Sequence, residues 1–225
     1  MIFGLATMFA FGQKKETRLV SDFTGIYAVG AFDIKIAKGE TESLIIETSD
    51  EIMPYVRSEI MSGFLHLHID ADAPKEITNN YNNIKVKVFV IMKDFDDVYV
   101  LGSCIITATD LFTPKNFIAT ISGSCVMNIN VNTDLFMIKA SGLCTIDLNG
   151  SATEFIINTS GKSVFNTGNF TAKTAIINSA GTNDITINVA DALHVNSARN
   201  ATIKYKGKPA ITINSDGRIE VKNIN

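Results

Sequence analysis

The sequence predicts an all-β fold, a parallel β-helix or β-solenoid, because one short pattern returns about every nineteen residues between Val98 and Val221. The marker of this pattern is a glycine that often follows serine. It occurs at Gly102, Gly123, Gly142, Gly161, Gly181 and Gly217. The last interval is about twice as long as the others and holds two units, with Arg199 where a glycine is expected. A fixed period of this length is typical of stacked-repeat architectures.

Alignment of the units on the marker shows apolar residues at alternate positions on both sides of it. Four residues before the marker stand Val98, Ala119, Ile138, Ile157, Ile177, Val195 and Ile213, and four residues after it stand Ile106, Met127, Ile146, Phe165, Ile185, Ile203 and Val221. Apolar residues spaced by two and rich in β-branched types predict strands with one buried face. Each unit therefore supplies two short strands around a glycine corner, and successive units stack at about 4.8 Å per rung.

The chain divides into three parts on this reading. Residues 98–225 are the regular solenoid, and residues 19–97 are a less regular β region at its start, with antiparallel pairing that caps the open end. Within this region we expect strands over 31–38 and 44–47, a helical turn over 50–55 that Pro54 stops, a hairpin of Val56–Ile60 with Phe64–Ile69, and a strand over 84–92. Residues before Phe23 are predicted as a polar lead-in, and residues 71–83 as the longest polar loop.

The first twelve residues, Met1 to Gly12, form an apolar run that stops at Gln13-Lys14-Lys15. The run has the size of the apolar part of a secretory signal peptide, and Ala10-Phe11-Gly12 offers a cleavage site. The charged N-terminal part of a signal peptide is missing, which is consistent with a truncated signal peptide. The alternative interpretation of residues 1–12 is a buried first strand. No cysteine follows the run, which argues against a lipid-anchored lipoprotein. We therefore expect an exported protein, at the cell surface or in the periplasm.

Composition restricts the partners. The net charge of −3 argues against nucleic acid or an anionic membrane as a partner held by basic charge. No stretch of 18 or more apolar residues occurs, so no transmembrane segment is expected.

No catalytic, cofactor-binding or metal-binding residues are predicted. Glycoside hydrolysis requires two acids close together, yet the outward acids of the repeats, Asp147, Glu154 and Asp184, fall in different columns. His66 and His68 share one strand face and can ligate a metal in principle, but no further ligand motif accompanies them, so a solvated face is favoured. The run Asp94, Asp96 and Asp97 likewise reads as a polar turn rather than a calcium site.

Three cysteines, Cys104, Cys125 and Cys144, each lie two residues after a marker and should stack in one interior column. Buried free cysteine behaves as a small hydrophobic residue. An inert column is favoured over one disulfide or a metal or redox site, because in-register parallel neighbours seldom give the torsion that a disulfide needs.

Two outward columns are candidate binding surfaces. An amide column stands three residues before the marker and comprises Asn158, Asn178, Asn196 and Asn214. Stacked amides can stabilise a solenoid without a ligand, and they can also offer a flat polar face to glycans. An apolar row stands five residues before the marker and comprises Ile118, Met137, Ile156 and Ile176. A contiguous apolar patch needs a cover: the N-terminal segment, a second copy of the chain, or an external partner.

Several stretches resemble the head GIN domain family of putative auto-transporter adhesins, which is common in Bacteroidetes. They are Phe23-Thr24-Gly25-Ile26, the run from Gly30 to Ile36, the Ser-Gly-Ser rungs, and Tyr205-Lys206-Gly207-Lys208-Pro209 followed by Ile211. The resemblance covers roughly residues 20–223 and implies an exported β-helical protein with a signal peptide and no established catalytic residues. The three cysteines and Arg199 depart from the family pattern.

The function expected from these observations is an exported, non-enzymatic surface module that binds a glycan or a host or surface protein. The alternative is a periplasmic or envelope scaffold that self-associates as a homo-oligomer. A polysaccharide-active enzyme is the third reading, and the lack of an acid pair disfavours it.

Overall fold

The computed structural model describes residues 13–78 and 86–225. The predicted signal segment, residues 1–12, and the asparagine-rich loop within residues 79–85 therefore lie outside the described residues. The chain is nearly all β and forms a solenoid of about 7 turns, with rungs roughly 19 residues apart. The predicted fold class is confirmed.

The described strands are β1 (Gln13–Arg18), β2 (Gly25–Gly30), β3 (Phe32–Lys38), β4 (Ser43–Ser49), β5 (Val56–Met61), β6 (Phe64–Ile69), β7 (Val86–Met92), β8 (Asp97–Gly102), β9 (Ile105–Phe112), β10 (Asn116–Gly123), β11 (Val126–Gly142), β12 (Thr145–Gly161), β13 (Val164–Gly181), β14 (Asn183–Ser197), β15 (Ala201–Lys206), β16 (Ala210–Ser215) and β17 (Ile219–Asn223). A 3₁₀ turn spans Met53–Tyr55. A short helix, α1, spans Lys75–Thr78, within the stretch predicted as a polar loop.

These strands stack along two sides of the solenoid. The first sheet runs in the order β5, β6, β2, β8 and β10, then through the C-terminal halves of β11 to β14, and ends with β16. The second sheet runs in the order β1, β4, β7, β3 and β9, then through the N-terminal halves of β11 to β14, and ends with β15 and β17. Marker pairs with marker in register, as in Gly123 with Gly142.

The core consists of the inward columns that the alternation predicted. Phenylalanine rings stack through it, for example Phe117 on Phe136 with centroids 5.1 Å apart, and Phe155 edge-on to Phe136 at 5.3 Å. In the last rung the inward residues Ile211 and Ile213 are 38% and 48% exposed. Strand β16 pairs with β14 on one edge, and no described strand pairs with its other edge. Burial therefore weakens at this end of the described stack.

The glycine marker has a steric cause. At Gly123, φ is +112°, and a Cβ added there would lie 2.2 Å from the carbonyl oxygen of Gly102 in the preceding rung. That oxygen accepts a hydrogen bond from the Ser124 N–H at 2.8 Å. The corner backbone of one rung thus occupies the space that a side chain on the next would need. Arg199 lies at a corner of different geometry, where the Ser197 hydroxyl donates to the Arg199 carbonyl at 2.9 Å.

Regular stacking begins earlier in the chain than the period alone indicated. Strands β2 and β3 already form a rung with its corner at Gly30, and β8 and β9 stack on it in parallel. Residues 39–96 connect this rung to the next and contain the antiparallel pairs β4–β7 and β5–β6, while β1, from residues 13–18, pairs antiparallel with β4. The polar lead-in differs from expectation, because residues 13–18 form strand β1 along β4. Pro54 lies within the 3₁₀ turn and does not terminate it.

Candidate functional site

The outward surface of the first sheet, here called the outer face, is the candidate site. Its side chains stand one, three and five residues before each corner, because the positions between them point into the core. The middle column of the outer face reads His66, Tyr27, Tyr99, Thr120, Lys139, Asn158, Asn178, Asn196 and Asn214, one residue per rung and in register throughout. The column changes from aromatic at one end to amide at the other.

The amide end is a hydrogen-bonded ladder. The Asn178 Nδ2 donates to the Asn158 Oδ1 at 2.9 Å, and the Asn196 Nδ2 donates to the Asn178 Oδ1 at 2.8 Å. Asn214 follows in register with Asn196. Each amide carries two N–H donors and two acceptor lone pairs. A bond to each neighbour therefore leaves donor and acceptor capacity for solvent or a ligand.

The aromatic end is a stack of three rings across three rungs. Tyr27 stacks on His66 with centroids 4.7 Å apart, and on Tyr99 at 4.8 Å with an interplanar angle of 5°. Phe64 stands edge-on to His66, and its ring fills the space above Gly25, where an added Cβ would lie 2.6 Å from it. His66 is thus a member of an aromatic cluster.

The apolar row lies beside this column on the outer face. Ile118, Met137, Ile156 and Ile176 stack in register. Ile118 is 39% exposed, and the other three are half-buried. The described N-terminal strand β1 pairs with β4 in the second sheet, so it does not lie across the row.

Asp97 begins the apolar row, in register between Gly25 and Ile118. Burial, with repulsion from Asp96, raises the pKa of the Asp97 carboxyl to about 6. Gly25 and Ile118, its neighbours in register, supply no cation, so the negative charge of the Asp97 carboxylate is poorly compensated. The outer face thus carries a carboxyl with a raised pKa, two residues before Tyr99 of the aromatic stack.

Two concavities flank the column. One of about 620 Å³ lies beside the aromatic end, and its lining includes Tyr27, Val29, His68 and Leu101. The other, about 290 Å³, lies along the amide end and includes Asn178, Asn196 and Asn214.

The family model described as putative auto-transporter adhesin, head GIN domain, matches residues 22–209, most of the chain. The chain belongs to this family. The resemblance noted in the sequence is thereby confirmed. No curated protein matches the sequence significantly.

Three solved structures share the fold of this head GIN domain protein. A putative adhesin from Bacteroides fragilis NCTC 9343 is 21% identical, with a TM-score of 0.84 over 95% of this chain and 97% of that one. A putative adhesin from Parabacteroides distasonis ATCC 8503 is 17% identical, with a TM-score of 0.67 over 96% and 98% of the two chains. A putative adhesin from Parabacteroides merdae ATCC 43184 is 16% identical, with a TM-score of 0.63 over 95% and 96%. At these identities the similarity concerns the fold.

The cysteine column of this head GIN domain protein lies in the interior, and all three thiols are free and buried. The thiols face the corner backbone: the Cys104 Sγ donates to the Gly30 carbonyl at 3.5 Å, and the Cys125 Sγ donates to the Gly102 carbonyl at 3.5 Å. A hydrogen bond to Cys125, together with burial, raises the pKa of the Cys104 thiol, and burial raises that of Cys144. Ser163 continues the column and donates to the Gly142 carbonyl at 3.4 Å. The column therefore supplies donors to the corner carbonyls.

The outward acids of the second sheet are engaged with neighbouring rungs. Asp147 accepts a hydrogen bond from Asn166 at 2.9 Å, and Asp184 forms an ion pair with Lys204 at 3.1 Å.

Within residues 13–78 and 86–225, no group of three or more His, Cys, Asp or Glu side chains is placed to hold a metal ion. Among the described residues, no helix has the length and apolar character needed to cross a membrane.

The sequence reasoning missed the aromatic end of the outer face. Tyr27 and His66 lie outside the regular repeat, and parallel pairing of β6, β2 and β8 brings them onto Tyr99. One signal was available: Tyr27 stands three residues before Gly30, as Tyr99 does before Gly102. His66 has no glycine three residues later, and its place follows from tertiary structure alone.

Proposed function

We propose that this head GIN domain protein is an exported, non-enzymatic adhesion module that binds its ligand through the outer face. The observation that carries the proposal is the continuous middle column, which has stacked aromatic rings at one end and a ladder of amides at the other. The aromatic rings and the amides are both held on a rigid backbone, where a ligand can contact them. Such preorganised surfaces lose little conformational entropy on binding.

The ligand classes that suit this face are glycans and proteins of a host or neighbouring cell surface. Aromatic rings supply flat apolar area and amides supply paired donors and acceptors. The adhesin names of the family and of its solved relatives support the same class of function. The outward acids Asp147 and Asp184 are paired with different neighbours, which favours binding over hydrolysis.

The first test is protease treatment of intact cells that produce the full chain with its own leader. We expect fragments from residues 98–221 to be released, or the full-length protein to be lost, without breaking the cells. A periplasmic protein that stays intact in the same sample is the control. Protection until the outer membrane is permeabilised would contradict the adhesin role, and recovery with the cytosol would contradict export.

A second candidate function is an envelope scaffold that self-associates. The apolar row favours it, because four aliphatic side chains in register make a contiguous strip beside the amide ladder. A copy of the same chain presents an equally long strip, and a two-fold arrangement matches the two surfaces.

A further inference from the structure

We infer that Tyr99 forms a sugar-binding subsite, in which a pyranose residue of a glycan packs on the uncovered face of the tyrosine ring. This inference rests on the proposed function and names the ligand class for the aromatic end of the outer face. The flanking amide ladder then receives the sugars that follow.

The aromatic stack ends abruptly at Tyr99. One face of its ring lies against Tyr27, with centroids 4.8 Å apart. The residue in register on the other side is Thr120, whose side chain is too short to cover a phenol ring. Tyr99 is 36% exposed although it stands in a sheet. The uncovered face of the Tyr99 ring is therefore a flat apolar surface beside the Thr120 hydroxyl group.

Side chains that accept hydrogen bonds and side chains that donate them lie around the Tyr99 ring. Asp97 stands two residues before Tyr99 on the same strand face and offers carboxylate oxygens. Lys139 follows Thr120 in the middle column and offers a cation. Ser122, two residues after Thr120 on the same strand face, shares a hydrogen bond with Ser141 at 2.8 Å. Acceptors, donors and an apolar wall therefore meet around one open position.

A pyranose ring matches this arrangement. One of its faces is made of C–H groups and packs on an aromatic ring, and its rim carries hydroxyls that both donate and accept. Rungs recur at about 4.8 Å along the solenoid. A linear glycan that runs along the axis from Tyr99 therefore meets one polar side chain per rung, through Thr120 and Lys139 to Asn158.

The test uses the full chain on an array of immobilised oligosaccharides built from hexose, N-acetylhexosamine and hexuronate pyranoses. Titration of the strongest binder follows, with Tyr99→Ala, Tyr99→Leu, Tyr99→Phe and Ile105→Ala variants. Ile105 is the matched control, since it is 45% exposed but lies on β9 in the second sheet, away from the outer face. Circular dichroism and thermal unfolding confirm that each variant is folded.

We expect Tyr99→Ala and Tyr99→Leu to weaken binding at least about tenfold, because aromatic anchors at the centre of a contact carry much of its energy. Tyr99→Phe and Ile105→Ala should stay within about twofold. Glycan binding that survives Tyr99→Ala, or that is lost in Ile105→Ala alone, would overturn the subsite and leave the adhesin role intact. Absence of binding to every oligosaccharide on the array would also overturn the subsite, whereas the protease treatment of intact cells tests the adhesin role independently.

Discussion

The corner glycines are the residues on which the stack depends most directly. At Gly123 the chain has a positive φ, and the carbonyl of Gly102 occupies the space of a side chain. Gly63, in the β5–β6 hairpin, also has a positive φ, but nothing lies within 4 Å of an added Cβ. A comparison of substitutions at Gly63 and Gly123 therefore separates the cost of a positive φ from the cost of a steric clash.

We expect Gly63→Ala to lower the free energy of unfolding by about 1–2 kcal/mol, the cost of a positive φ for an L-residue. Gly123→Ala should cost more than about 3 kcal/mol, because the corner must also move away from the preceding rung. Urea unfolding of both variants, followed by circular dichroism, measures the difference. Equal losses in the two variants would contradict the role of the close carbonyl contact.

At the scale of the element, strand β8 joins the cap to the regular stack and carries an unusual carboxyl. Asp97 lies between Gly25 of β2 and Ile118 of β10, where burial and the like charge of Asp96 disfavour its charged form. Its pKa is raised from 3.8 to about 6. Over this interval the folded chain holds a proton that the unfolded chain releases.

The raised pKa of Asp97 predicts a pH dependence of stability. Its stabilising contribution is present below about pH 4 and is lost as the pH rises through about 6, because charging the group opposes folding. Asp97→Asn should therefore raise the free energy of unfolding at pH 8, relative to its effect at pH 4, by on the order of 1 kcal/mol. This value allows for solvent screening of a half-buried group.

Urea unfolding of the natural chain and the Asp97→Asn variant at both pH values measures this difference. Asp96→Asn is the control and should give a smaller change of the same sign, since it removes only the repulsion. A difference between the natural chain and Asp97→Asn that is the same at pH 4 and pH 8 would contradict the assignment.

At the scale of the whole molecule, the two ends of the stack differ. Antiparallel strands β1, β4 and β5 cover one end, where Leu44 and Ile46 are fully buried. At the other end of the described stack the inward residues Ile211 and Ile213 are partly exposed. Between the ends, the apolar row crosses four rungs of the outer face, and this is the surface through which a scaffold would self-associate.

Sedimentation of the natural chain over a wide concentration range tests the scaffold candidate. If a second copy covers the row, the natural chain sediments as a dimer, and the Ile156→Asp/Ile176→Asp variant as a monomer, because unpaired charges in a contact cost several kcal/mol. Thr153→Asp/Lys173→Asp, at exposed positions of the same two strands, is the control and should remain dimeric. A natural chain that is monomeric at every concentration would rule out self-association along the row.

The fold and the register of both candidate columns could be predicted from the sequence, for a physical reason. In a parallel solenoid each residue stacks on the residue one period away, so a column in the alignment is a column in space. Asn178 lies on Asn158, and Ile176 lies on Ile156, as the period required. The interior position of the three cysteines followed from the same rule.

Where the chain leaves the period, this rule no longer applies. Residues 39–96 separate the first rung from the second, and only the folded chain brings β2 against β8 and β6 against β2. The stack of His66, Tyr27 and Tyr99, the uncovered ring face at Tyr99 and the poorly compensated Asp97 all arise at this junction. The sequence by itself thus determined the repeating stack, because local alternation and a constant period specify it. Only the tertiary structure decided what stands at its aromatic end, because that surface is assembled from segments with no common period.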